Sequence, residues 1–319
     1  MRIARVEHEG RPRTALVAED RVRVLADGVA VLDLLSAPGD DRARLADRGE
    51  AELALADTRL LAPIEPPTIR DFSVFEQHIE GAIKTGGGPE APVPAVWYEM
   101  PFCYFSNPHA ITGPGEDIEM APGTKAQDLE LEVAAVVCRA GRNLRPEDAA
   151  AHIGGYTIFN DWSARDIGGK EVQTPFGQCK GKDFANTLGP WIVTPDELER
   201  YRDGDRYDLD MRATINGAEL GSDTLANMAW SFEEMVAYAA RGAWIRPGDV
   251  LGSGTCGGGC LLELWGRNGS FDPPPLQAGD EVVLSVEGIG TLRNRVVEAD
   301  PPVELPPARP GRRRARAGR

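Results

Sequence analysis

The sequence predicts an α+β fold dominated by antiparallel or mixed sheet, and three observations carry that expectation. Glycine and proline are frequent, at 36 and 25 of 319 residues, which implies many turns. Short runs of alternating or β-branched apolar residues recur between those turns. Helical periodicity is confined to scattered pieces such as "PEDAAAHI" and "SFEEMVAYAA", which interrupt the strands.

Taken in order, residues 1–64 read as a small β-rich N-terminal domain. "RIARVEHEG", "RTALVAED" and "RVRVLA" are strands parted by turn residues, and "AVLDLLSA" is a short helix. The proline-punctuated "LLAPIEPPTIRDF" links this unit to the main domain, residues 65–305. There, "RDFSVFEQHIEGAIKTGGG" (70–88) reads as an amphipathic helix. Ser73 and Glu76 fit a capping box and Gly86 a stop. The glycine-rich segment 86–96 is expected at the surface, where it would let the helix move as a lid. "AQDLELEVAAVV" (126–137) and "YTIFND" (156–161) read as strands, as do "GCLLELWG" and "DEVVLSVEGIGTLRNRVV" further on. The tail, residues 306–319, has too little apolar surface to fold and is expected to be disordered.

Composition excludes several classes of function. Net charge is −15, and Pro307 to Arg319 holds six arginines and no acid, leaving 29 bases against 50 acids in the body. An acidic body argues against nucleic acid as the main ligand. No apolar run approaches the ~20 residues that span a bilayer. The N-terminus has no signal-peptide core, so the expected location is cytoplasmic. The five cysteines (103, 138, 179, 256 and 260) are odd in number and scattered, which suits a reducing compartment.

Several residues stand out chemically. Along a strand, Asp128, Glu130 and Glu132 project from one face, where repulsion and desolvation oppose them unless water or a cation compensates. Asp161 sits where a buried strand ends, as either a functional group or a turn aspartate; Arg165 follows, with Asp161 or Asp166 as a local partner. His78 is one of four histidines. "VLGSGTCGGGCLLELWG" (250–266) is not a phosphate loop if "LLELW" is a strand, because a phosphate cradle leads into a helix. A zinc pair at Cys256 and Cys260 lacks a second ligand pair. Glu263 alone would be an edge-exposed acid.

In order and spacing, these segments resemble the fumarylacetoacetate hydrolase family over residues 65–300. "DLELE" resembles its carboxylate strand, "NDWSARD" its third metal-ligand segment and "GKDF" its lysine segment. "RPGDVLGSGT" with "LLELWG" resembles its glycine–threonine loop and glutamate strand, and "DFSVFEQH" its aspartate–histidine segment. The resemblance implies the family's mixed β-sandwich roll and a homodimer. It places Asp71, Glu130, Glu132 and Asp161 around one divalent cation, with Asp128 as a solvated bystander. An all-carboxylate set suits Mg²⁺ first, with Ca²⁺ or Mn²⁺ as alternatives.

The implied reaction is hydrolytic cleavage of a C–C bond in a β-diketo acid such as an acylpyruvate. His78, oriented by Glu263, would be the general base, and Lys182 with Arg165 would stabilise the oxyanion. Thr255, Gly254, Tyr98 and Tyr104 would bind substrate, with Ser106 a further candidate. Decarboxylase, isomerase or hydratase chemistry on 2-oxo acids, or a non-catalytic member, are the alternatives. One departure stands out: Gly168 occupies a position where the family often has a glutamine, leaving a role for Gln173 or a backbone amide. Trp230 is a candidate interface residue.

Overall fold

The computed structural model describes residues 1–309 and 311, so the Arg-rich tail expected to be disordered lies mostly outside the described residues. The class is α+β, as expected, and two sheets carry it. The larger has twelve strands. Arg2–His8, Arg11–Ala18, Arg21–Leu25 and Gly49–Ala54 form an antiparallel meander on one flank. Arg2–His8 also pairs with Asn186–Val193, so the N-terminal strands continue the main sheet. Beyond Asn186–Val193 lie Ile153–Asp161, Leu131–Val137, Val250–Gly252, Ile69–Phe72 and Cys103–Ser106. The second sheet has five strands: Ala218–Thr224, Asp210–Ile215, Glu281–Val286, Gly290–Val297 and Asp117–Glu119.

Leu131–Val137, Ile153–Asp161 and Asn186–Val193 are buried at every position. Covering both faces explains the apolar runs that mark Leu131–Val137 and Ile153–Asp161 in the sequence, while Asn186–Val193, "NTLGPWIV", carries no such run. Val133 and Ile158 share one core cluster with Met211, Leu284 and Leu292 of the second sheet. Ser231 caps the helix Phe232–Ala239 in a reciprocal box with Glu234.

Three local expectations are corrected. First, residues 69–72 form a strand and the helix spans Glu76–Gly87, so Asp71 is a strand residue. Phe75 stands at the N-cap without a side-chain cap bond, and the helix ends at Gly88 (φ 83°), past Gly86. Second, "LLELW" lies in a helix, Leu261–Asn268, ended by Gly269 in the left-handed region. Third, the acid-rich strand is broken: Gln127–Asp128 pairs with Ser163–Ala164, and the long strand starts at Leu131. Asp128 therefore does not share the face of Glu132.

The helices Glu76–Gly87 and Leu261–Asn268 pack backbone to backbone. A Cβ on Gly266 would stand 2.2 Å from the Gly81 carbonyl oxygen, and one on Gly81 would stand 2.9 Å from Glu263 Cγ. This contact fixes the His78-bearing helix as a wall, contrary to the lid expected of it. Trp230 is half-buried against the core; the strongly exposed aromatics are Tyr98, Phe105, Phe176, Trp244 and Phe271. All five cysteines are free, and no helix among the described residues is long and apolar enough to cross a membrane.

Candidate functional site

Four adjacent strand segments bring the acids together. Asp71 sits in Ile69–Phe72, opposite Gly252 in the parallel register and Tyr104 in the antiparallel one. Glu132 lies opposite Phe159, two residues before Asp161 on the next strand. Glu130 is held at the break before Leu131, where its amide donates to Asn160 Oδ1 at 2.9 Å. Asp71, Glu130, Glu132 and Asp161 are all buried, and each offers an oxygen within 4.8 Å of the others.

Gly252 permits that convergence. A Cβ there would stand 2.5 Å from Asp71 Oδ1 and 2.9 Å from Glu132 Oε2. Gly252→Ala is therefore expected to spread the cluster and weaken divalent-cation affinity by tenfold or more, read by calorimetry with Mn²⁺. Unchanged affinity would show that the carboxylates need not approach so closely.

The four acids do not have equivalent partners. Arg165 donates to Glu130 Oε1 at 2.7 Å, and the Lys182 ammonium contacts Glu130 Oε2. Burial alone would raise the Glu130 pKa, but the Arg165 and Lys182 charges outweigh it and hold it well below the usual carboxylate range. Lys182 Nζ also lies 2.6 Å from Asp161 Oδ2. Tyr104 Oη bridges Asp71 Oδ2, at 2.8 Å, and Asp161 Oδ2, while the Gly254 amide donates to Glu132 Oε2 at 3.0 Å. Asp71 Oδ1, Glu132 Oε1 and Asp161 Oδ1 remain buried without a hydrogen-bond partner. Burial, with repulsion from neighbouring acids, raises the pKa of Asp71, Glu132 and Asp161. Two cationic side chains stand against four carboxylates, and three oxygens lack partners. These features fit a hard divalent cation, which would supply the missing charge and accept those lone pairs.

Beside this cluster, His78 Nδ1 lies 3.0 Å from Glu263 Oε1. Glu263 is wholly buried, contrary to an edge-exposed acid, and also accepts from the Gly258 amide at 2.8 Å and Arg267 at 3.0 Å. With Nδ1–H donated to Glu263, Nε2 is the free basic nitrogen. Cys260 Sγ lies 3.6 Å from His78 Nδ1 and 3.7 Å from Glu263 Oε1. Burial pushes the Cys260 thiol well up, which disfavours the thiolate that zinc needs, and Cys256 does not join this group.

Asp128 is fully buried and is no solvated bystander. Its carboxylate accepts the Leu261 and Leu262 amides, at 2.8 and 3.1 Å, and Arg165 Nε at 2.8 Å. It thereby caps the Glu263 helix and holds Arg165 against Glu130. The same contact fills the helix N-terminus with a carboxylate, which excludes a phosphate cradle there for a reason other than strand structure. Arg165 thus pairs with neither Asp161 nor Asp166; Asp166 accepts from Thr124 and the Lys125 amide.

A cavity of about 610 Å³ opens on the cluster. Asp71, His78, Glu130, Arg165, Lys182, Tyr104 and Thr255 line it. Three expected substrate contacts are corrected. Tyr98 is 53% exposed and donates to Glu76, outside the cavity. Gly254 lies behind the lining, with φ of 80°, and a Cβ there would stand 2.4 Å from the Phe72 carbonyl oxygen, so only glycine fills the position. Ser106 bonds Asn186 Oδ1 at 3.0 Å, away from the cavity. Gln173 donates to the Gly169 carbonyl at the surface. The lining residue is instead Gln178, whose Oε1 is 3.4 Å from the position a Gly168 Cβ would take. Gly252 and Gln178 were missed in the sequence, and so was the capping role of Asp128. "GSG" beside a candidate ligand strand hinted at the first; the other two have no local signal.

The fold and the carboxylate cluster define a family of enzymes. A sequence model described as "Fumarylacetoacetate (FAA) hydrolase C-terminal" matches residues 68–297, and a second, "Rv2993c-like, N-terminal", matches residues 1–63. The chain belongs to the fumarylacetoacetate hydrolase family, whose members include hydrolases, isomerases and tautomerases. It is 29% identical to a fumarylacetoacetase of Oryza sativa subsp. japonica over 308 residues, covering 77% of this chain and 72% of that one. It is 28% identical to oxaloacetate tautomerase YisK of Bacillus subtilis (strain 168) over 250 residues, covering 78% and 76%. A solved 5-carboxymethyl-2-hydroxymuconate delta-isomerase of Mycobacterium smegmatis aligns with a TM-score of 0.69 and 27% identity, over 94% of this chain and all of that one.

Proposed function

We propose that the protein is a divalent-cation-dependent hydrolase that cleaves a C–C bond in a β-diketo acid. The observation that carries this reading is that His78, held by the buried Glu263, opens on the same cavity as the acid cluster. Asp71, Glu132 and Asp161 would hold the cation through their unpartnered oxygens, with Glu130 as the fourth ligand. Mg²⁺ is the preferred ion on donor chemistry. When bound, it would supply Lewis acidity toward the keto-carboxylate oxygens of the substrate.

The chain's own residues account for the proton transfers. His78 Nε2 takes a proton from water, and Glu263 stabilises the resulting imidazolium through Nδ1–H. The water oxygen adds to the distal carbonyl carbon. Burial opposes the Lys182 charge, yet Asp161 and Glu130 hold its pKa well above the usual amine range. Lys182 therefore serves as a fixed cation for the oxyanion, together with Arg165, and not as a base. The C–C bond then breaks, its electron pair leaving on the keto-acid fragment, and the proton on His78 returns to that fragment's carbon. Thr255 and Gln178 orient the substrate, Gln178 standing in for the side chain that Gly168 lacks.

A second reading is tautomer or isomer chemistry on a 2-oxo acid, favoured by the likeness to the Bacillus tautomerase. It would use His78 for proton transfer without water attack. A homodimer and a cytoplasmic setting complete the proposal. A cation-supplemented panel of β-diketo acids, followed by loss of enol absorbance and by product mass, tests it. Two cleavage products, one of them a simple 2-oxo acid, are expected. Products of unchanged mass would favour the isomer reading.

A further inference from the structure

We infer that the substrate ends in an uncharged apolar group rather than in a second carboxylate. This inference deepens the proposed function and rests on its assignment of the acid cluster as the keto-acid-binding end. The cavity is chemically two-ended. Its only basic side chains among the described residues are His78, Arg165 and Lys182, all at the acid cluster. The remaining wall is built mainly from Ile79, Ile83, Val96, Trp97, Phe102 and Val172.

The helix Glu76–Gly87 sets the direction of this wall. His78 lies in its first turn, beside Glu263. Ile79 and Ile83 are four residues apart and share a face, and at 1.5 Å per residue Ile83 lies about 7–8 Å beyond His78 along the axis. Thr85, further along, is neutral. Lys84 on the same helix is engaged with Glu80 at 2.7 Å and does not line the cavity. Phe102, Val96 and Val172 are exposed, at 39%, 47% and 57%. Apolar surface left open to a cavity is what an apolar ligand covers favourably. A carboxylate placed there would be desolvated with no cation to meet it. Oxaloacetate, named for the Bacillus relative, carries a carboxylate at each end; this cavity offers cations at one end only.

Binding of stable 2-oxo acids tests the inference apart from turnover. Calorimetry in saturating Mn²⁺ would compare 2-oxooctanoate with 2-oxooctanedioate, and both with 2-oxobutanoate. The expected result is at least tenfold tighter binding of the monoacid than of the diacid of equal length. Affinity should also rise by up to about fourfold per added methylene from 2-oxobutanoate upward. Ile83→Arg, or Val172→Lys should the first fail to fold, is expected to reverse the preference. Equal or tighter binding of the diacid by the unmodified protein overturns the inference and leaves the hydrolase proposal standing. Apolar-tail preference without cleavage of any diketo acid overturns the hydrolase proposal alone. Failure of every 2-oxo acid to bind overturns both.

Discussion

His78→Ala is expected to lower kcat/KM for diketo-acid cleavage by about 10²–10⁴-fold, the usual contribution of a positioned general base. Divalent-cation affinity should change little, because His78 is not among the clustered carboxylates. The fold should persist, since Glu263 keeps the Gly258 amide and Arg267 as partners when the imidazole is removed. Glu263→Gln should cost less, because the imidazolium loses its counter-charge while Nδ1–H keeps an acceptor. Steady-state kinetics with cation calorimetry checks the pair. A His78→Ala enzyme with near-normal turnover would show that water activation lies elsewhere.

Asp128→Ala is expected to destabilise the protein by about 3–5 kcal/mol, the usual cost of breaking a buried charge pair. The substitution strips two amides of the Glu263 helix of their acceptor and leaves Arg165 with Glu130 as its one remaining acid. Activity should fall as well, since the same helix carries Glu263 and the same guanidinium faces the cavity. Asp128→Asn should recover part of the capping but not the charge. Denaturant unfolding at saturating cation reads the effect. A loss below ~0.5 kcal/mol would return Asp128 to the solvated role that its sequence position suggested.

Asp128 also shows where sequence reading reaches its limit. Its partners at Leu261 and Leu262 lie 133 and 134 residues away, so no local pattern reveals that it caps a helix. Without that cap in view, Leu261, Glu263 and Trp265 alternate as a strand would, and the helix was missed. Leu131–Val137 and Ile153–Asp161 were legible because double-sided burial leaves apolar runs, whereas Asn186–Val193, interrupted by glycine and proline, was not. Glu130, Glu132, Asp161 and Asp71 were legible as a set through ordered motifs, although the strand break before Leu131 was not. The inequality among them depends on where Lys182 and Arg165 arrive, which only the packed structure settles. Gly168 flagged a gap, but Gln178 reaches it through a loop whose path the sequence does not encode in any short-range signal.

Whether the buried acids are gathered for a divalent cation is read by Mn²⁺ calorimetry on the unmodified protein and on Asp161→Asn. Burial raises the pKa of Asp71, Glu132 and Asp161, which favours their protonated forms before the cation binds. Binding should therefore release protons, seen as a dependence of the measured heat on buffer ionisation enthalpy, and affinity should fall as pH drops toward the ordinary carboxylate range. The expected result is one saturable site per chain in the unmodified protein and at least a tenfold weaker site in Asp161→Asn. Equal affinity in the two proteins, with no proton release, would show that these acids are not gathered around a cation.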